Sequence, residues 1–143
     1  MRILTVLVVL ILGLMAYVRF APTDAARWHQ PLMLTAPGDY PEEGGFLVER
    51  KIAAPAPEVL AAVESRALAT PRTQVIAGSV DEGMITFMTR SRVMGFPDYT
   101  TVAVYNDTLV IYGRLRFGRS DMGVNKARIE SWLETLGPLT EPL

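Results

Sequence analysis

The chain has 143 residues, no cysteine, one histidine and a formal net charge of −1, and half of its residues are hydrophobic. That length holds one domain of ordinary size plus an appendage. Composition excludes a disulfide framework, a cysteine-linked lipid anchor and a thiol nucleophile, a lone histidine cannot complete a transition-metal site, and a near-neutral chain lacks the field of a nucleic-acid binder.

The stretch ILTVLVVLILGLMAYV, from Ile3 to Val18, carries no charge and is bracketed by Arg2 and Arg19. Its sixteen residues cover about 24 Å as a helix, and Phe20 and Ala21 extend it toward the thickness of a bilayer core. A cleaved secretory signal has the same basic start and short apolar run, but Arg19 and Phe20 follow the run where small residues are needed for cleavage. The expectation is an uncleaved signal-anchor, single-pass in the bacterial cytoplasmic (inner) membrane, touching the bilayer through residues 3–21. The C-terminal domain would then lie on the extracytoplasmic, periplasmic side, although Arg2 on one side and Arg19 and Arg27 on the other give the positive-inside rule little to act on.

Residues 22–44 read as a linker rich in Pro, Gly and acidic side chains. Within it Trp28, between Arg27 and His29, is either an interfacial anchor or an aromatic folded back onto the domain. His29 is expected to have no special role.

From residue 45 to 140 the pattern is that of an α+β domain. Alternation in FLVERKIAA predicts a strand over 46–54, and Val59, Leu60, Val63 and Ala67 after Pro55 and Pro57 predict a helix over 56–69. Short runs separated by turn residues predict strands over 73–80, 84–93, 99–105 and 109–117. The last helix puts Val124, Ile129, Trp132, Leu133 and Leu136 on one side and stops at Gly137-Pro138. The order β-α-β-β-β-β-α, with hairpin-length links, implies two layers: a mostly antiparallel five-stranded sheet with two helices on one face.

The segments RSRVMGFPDYTTV and RFGRSDMGVNKARIESWLETL carry a resemblance. The run Gly118, Ser120, Asp121, Gly123, Asn125 and Arg128, with Asp98 before Tyr99, resembles the bacterial and plastid family of domains of unknown function numbered fourteen ninety-nine. The resemblance covers most of residues 45–137 and implies membrane-anchored or secreted relatives. It implies no reaction. The strand-helix opening and closing helix are also similar to helix-grip folds that hold hydrophobic ligands.

No catalytic constellation is legible, because the usual nucleophile, base and metal motifs are missing. Asp98 and Asp121 are the carboxylates open to acid-base work, yet Asp98 suits a turn and Asp121 a helix cap. Charge is unevenly distributed: residues 37–83 hold eight acidic and four basic side chains, residues 84–128 three and seven. Period-2 geometry puts Arg90 and Arg92 on one face of their strand and Arg114 and Arg116 on one face of theirs. If that face is open, those four with Arg119 are candidates for an anion or lipid headgroup, and replacing Arg90 and Arg114 leaves folding alone; the alternative is a solvated face paired with acids such as Glu49. The expected function is a non-catalytic interaction or scaffolding module without cofactor, metal or nucleic acid, whose partner is an anionic headgroup or an envelope protein. The alternatives are a binder of a lipid or other hydrophobic ligand and, last, a hydrolase-like enzyme using Asp98 and Asp121.

Overall fold

The computed structural model describes all 143 residues. Helix α1 (Arg2–Phe20) is 19 residues long, about 28 Å, with a mean hydropathy of 2.5, and is the one helix long and apolar enough to cross a bilayer. Only Val18 of it is buried, so it projects from the domain and meets it in its last turn, where the Tyr17 ring packs edge-on against Phe117 at 6.1 Å.

The domain is a single antiparallel sheet with two helices packed on one face. Its strands are β1 (Gly38–Glu42), β2 (Gly45–Lys51), β3 (Thr73–Ser79), β4 (Met84–Arg90), β5 (Pro97–Tyr105) and β6 (Thr108–Leu115), in spatial order β1-β2-β6-β5-β4-β3. Helix α2 is the single turn Ala25–Trp28, capped by Asp24, whose Oδ1 accepts the Ala26 N–H. Helices α3 (Ala56–Ala69) and α4 (Val124–Leu136) cover the inner face. There Phe46 and Val48 of β2, Ile85 and Phe87 of β4, Val102 of β5 and Leu109 and Ile111 of β6 meet Val59, Leu60 and Val63 of α3 and Ile129, Trp132 and Leu136 of α4. Trp132 anchors this layer: it is fully buried, its ring stands edge-on to Phe87 at 5.6 Å, and its indole N–H donates to Thr70 Oγ1 at 2.9 Å.

The sheet has six strands rather than five. The added strand is β1, from the segment expected to be a linker, and it forms the edge of the sheet by pairing with β2 in the register Gly38↔Glu49 to Glu42↔Gly45. Pro41 is tolerated there because an edge strand has one side free of ladder partners. The first domain strand ends at Lys51, β4 ends at Arg90, and β6 ends at Leu115, each short of its expected limit. For β6 the reason is its register with β5: Asp98 pairs with Leu115, so Arg116 falls opposite Pro97, which has no N–H to donate. In α4 the buried stripe begins with Asn125 instead of Val124, which is exposed.

The outer face of the sheet is covered. Residues 22–36 run across it as a strap, from the end of α1 toward the opposite end of the strands. Thr23 shares a hydrogen bond with the Tyr99 hydroxyl at 3.0 Å, and the Trp28 ring stacks on Tyr99 at 4.1 Å. His29 Nδ1 meets Thr86 Oγ1 at 2.8 Å, the Leu32 N–H donates to the Tyr105 hydroxyl at 3.0 Å, and Thr35 donates both its N–H and its hydroxyl to Glu49 Oε1. Glu49 is buried, with its Oε1 hydrogen-bonded to the strap, and β4, β5 and β6 are buried on both faces over most of their length. Of the two readings of Trp28, the aromatic folded back onto the domain is the one observed.

Candidate functional site

The features singled out in the sequence converge at one end of the sheet, the end that meets α1. Strands β4 and β6 finish there, β3 and β5 begin there, α3 ends there and α4 starts there. The turn joining β4 to β5 is closed by the Ser91 N–H to the Phe96 carbonyl and by the Phe96 N–H to Ser91 Oγ, both at 2.9 Å.

At the start of α4, Asp121 accepts the Gly123 N–H on Oδ1 at 3.0 Å and the Asn125 N–H on Oδ2 at 3.0 Å, with the Asn125 side-chain amide at 2.8 Å. This satisfies first-turn donors that α4 cannot satisfy itself. Gly123 enters the helix at a φ of 77°, a conformation glycine adopts without penalty. Fully buried Asn125 sits against Gly113 of β6, where any Cβ would lie 2.7 Å from Asn125 Oδ1. The same amide donates to Asp98 Oδ2 at 3.3 Å, while Arg128 donates to Asn125 Oδ1 at 2.8 Å and pairs with Asp98 Oδ2 at 3.5 Å. Asp98, Asp121, Asn125 and Arg128 are thus one hydrogen-bonded unit linking β5 to α4. Ser120 stabilises the approach by accepting the Met122 N–H on Oγ at 3.2 Å.

The two carboxylates are pushed in opposite directions. Burial raises the Asp98 carboxyl above its usual range and outweighs the Arg128 charge beside it. Burial also acts upward on Asp121, but the donors from Asn125 and Gly123 outweigh it and leave the group lowered. Carboxylates driven apart in this way are raw material for acid-base chemistry. Here both Asp121 oxygens are occupied by the cap, and Asp98 keeps only Oδ1 free of protein hydrogen bonds. No three His, Asp or Glu side chains converge to hold a metal ion.

Beside this unit a cleft of about 460 Å³ opens between the β4–β5 turn and the segment leading into α4. Phe96, Leu115, Phe117, Met122 and Val124 form its apolar walls, and Asp98, Asp121 and Arg128 its polar floor. Next to it, sharing Ser91, a hollow of about 480 Å³ is lined by Arg19, Arg72, Arg90 and Arg92. A third hollow, of about 370 Å³, bridges the two through Arg92, Val124 and Arg128. No carboxylate lines either arginine hollow.

The arginines are not displayed on an open sheet face. Arg90 donates to the Val18 and Gly95 carbonyls at 3.5 and 2.9 Å, tying α1 to the β4–β5 turn. Arg114 donates to the Trp28 carbonyl and to Thr101 Oγ1 and lies over the Trp28 and Tyr112 rings, so it clamps the strap; burial lowers its pKa. Arg116 donates to the Tyr99 hydroxyl at 3.2 Å. Arg92 and Arg119 are exposed, on turns beyond the strands. Glu49, which might have paired with this set, is taken by Thr35. Replacing Arg90 and Arg114 would therefore disturb the fold, contrary to the expectation from strand parity. Reading along the chain did not find Arg19 and Arg72 as members of a site. Arg19 looked like the flank of an apolar run, and Arg72 belongs to a turn whose partner, the Arg90 carbonyl, lies eighteen residues away at 3.0 Å.

Residues 27–136 match the family described as protein of unknown function (DUF1499). The chain belongs to that family. The match starts at Arg27, so the family unit takes in most of the strap and β1 as well as the Asp98–Arg128 unit, and begins well before residue 45. No curated protein matches the chain.

Proposed function

We propose that the protein is a single-pass, membrane-anchored envelope domain that engages the anionic surface of its own bilayer as a non-catalytic interaction module. The observation that carries this reading is the hollow of Arg19, Arg72, Arg90 and Arg92, which has no carboxylate in its lining and lies against the last turn of the one apolar helix long enough to span. Like charges gathered in a hollow repel over distances comparable to the ~8 Å screening length of physiological salt, and a bound phosphate relieves that repulsion through charge-assisted hydrogen bonds. Basic side chains next to an anionic leaflet contribute about 1 kcal/mol each.

A further feature favours the same orientation. Phe20, Val93 and Met122, all at this end, are strongly exposed, as suits side chains that meet an interface.

Native mass spectrometry of the full chain, extracted in a neutral detergent and offered phosphatidylglycerol and phosphatidylcholine together, tests the reading. Phosphatidylglycerol adducts are expected to dominate, and the Arg72→Gln/Arg92→Gln double variant is expected to lose that preference. Equal uptake of both lipids by the wild type, or an undiminished preference in the double variant, would overturn it.

A further inference from the structure

We infer that the cleft between the β4–β5 turn and the start of α4 takes the acyl chain of one anionic single-chain amphiphile, a fatty acid or a lysophospholipid, whose head lies in the adjoining arginine hollow. This rests on the orientation proposed above and adds a ligand to it.

The shape of the cleft favours a single chain. At about 460 Å³ it falls in the lower half of the range for small-molecule sites, and its walls are aromatic and aliphatic. The polar floor makes little demand on a ligand. Asn125 and Asp121 are satisfied by each other and by the backbone of α4, and Arg128 is held by Asn125 and Asp98. An anionic headgroup placed there would face the Asp98 and Asp121 carboxylates, whereas a hydrocarbon chain lies along the walls without disturbing those bonds.

The head has a better place nearby. Ser91 lines both the cleft and the arginine hollow, and its neighbour Arg92, exposed and without a carboxylate partner, lines that hollow and the third one, which shares Val124 and Arg128 with the cleft. A chain in the cleft therefore puts an attached carboxylate or phosphate within the group of arginines. The cleft also lies beside α1, because its wall residue Phe117 packs on Tyr17.

The size of the cleft limits which lipids can enter. A two-chain phospholipid would have to leave its second chain outside, whereas a single-chain amphiphile, held to a membrane only marginally and reversibly, can place its one chain there as it exchanges.

Photocrosslinking of the full chain in phosphatidylcholine nanodiscs tests this. The probes are diazirine-labelled palmitate, lysophosphatidylglycerol and lysophosphatidylcholine, with mapping of the labelled peptides. The two anionic probes are expected to label residues 91–96 and 115–124, and lysophosphatidylcholine on the order of tenfold less, because its phosphate carries a choline ammonium that the arginines repel. Labelling by only one anionic probe would identify the head as carboxylate or phosphate and would still support the site. Val124→Trp, which fills the cleft from an exposed position on α4, is expected to lower that labelling while leaving the melting temperature close to wild type. Label confined to α1, or label in the two segments undiminished by Val124→Trp, would overturn the inference. If the wild type keeps its preference for anionic lipid in native mass spectrometry while the label maps elsewhere, the chain site alone is wrong; if that preference is missing too, the surface reading falls with it.

Discussion

Removing the Asp121 carboxylate should unfold the domain far more easily than loss of one helix cap suggests. An N-cap is ordinarily worth about 0.5 to 2 kcal/mol. Asp121 does more than cap, because its Oδ2 is also the shorter of the two contacts made by the fully buried Asn125 amide, the other being Asp98 at 3.3 Å. A buried donor left short of a partner costs about 1 to 3 kcal/mol, so Asp121→Ala should cost about 1.5 to 5 kcal/mol in all. For a domain of this size that is a fall in melting temperature on the order of 10 °C. Trp28 and Trp132 are the only tryptophans and both lie in the folded unit, so their fluorescence follows the domain while α1 stays in the micelle. The Asp121 carboxyl is held below its ordinary value of 3.8, so its contribution is present above that pH and is lost as pH falls through the lowered value. The gap between wild type and variant should therefore narrow in acid. A cost under about 0.5 kcal/mol, or strict additivity with Asn125→Ala, would refute the reasoning.

Four other outcomes are expected. Trp132→Ala, which empties the centre of the helix layer, should cost about 3 to 5 kcal/mol by urea denaturation, enough to unfold a marginal domain. Arg114→Ala should cost about 1.5 to 3 kcal/mol because the strap loses its clamp, and a double-mutant cycle with Trp28→Ala should show a coupling of about 0.5 to 2 kcal/mol. Asp98 has the opposite sign to Asp121: its folded value lies above 3.8, so the protein loses stability as pH rises through that window, and the melting temperature of Asp98→Asn minus wild type should be larger at neutral pH than near pH 4. A reporter active only outside the cytoplasm, fused after Leu143, should work, and the mature chain should still begin at Met1 or Arg2.

The strands and helices that carry the inner core were legible because their apolar residues recur at one period. Ile85 and Phe87 alternate into the helix layer, and Ile129, Trp132 and Leu136 recur along one side of α4. The cap was legible too, since Asp121 lies in a short polar run just ahead of an apolar helical pattern. Strand β1 was hidden because Gly38 and Pro41 argue against a strand, and only its place at the sheet edge makes Pro41 acceptable. The strap was hidden for a deeper reason: it has no period, and its order comes from partners far along the chain, such as Thr86, Tyr99 and Arg114. Without the strap, alternation in β4 and β6 reads as one buried and one wet face, and the arginines appear free. The arginine hollow was illegible for the same reason, because Arg19, Arg72 and Arg92 come from three separate segments.

Twenty-four residues, 21 through 44, separate α1 from β2, and stretched out they would reach roughly 80 Å. Lying flat on the sheet, with β1 zipped onto its edge, they have no slack to give. The domain is therefore not a ball on a string that samples a wide shell of space. It rides at a fixed height above the end of α1, with the same end always turned toward that helix. If α1 crosses a bilayer, anything this protein meets must come to it within the layer of water next to that leaflet, and lengthening α1 or shifting its exit point would move the arginine hollow and the cleft by the same amount.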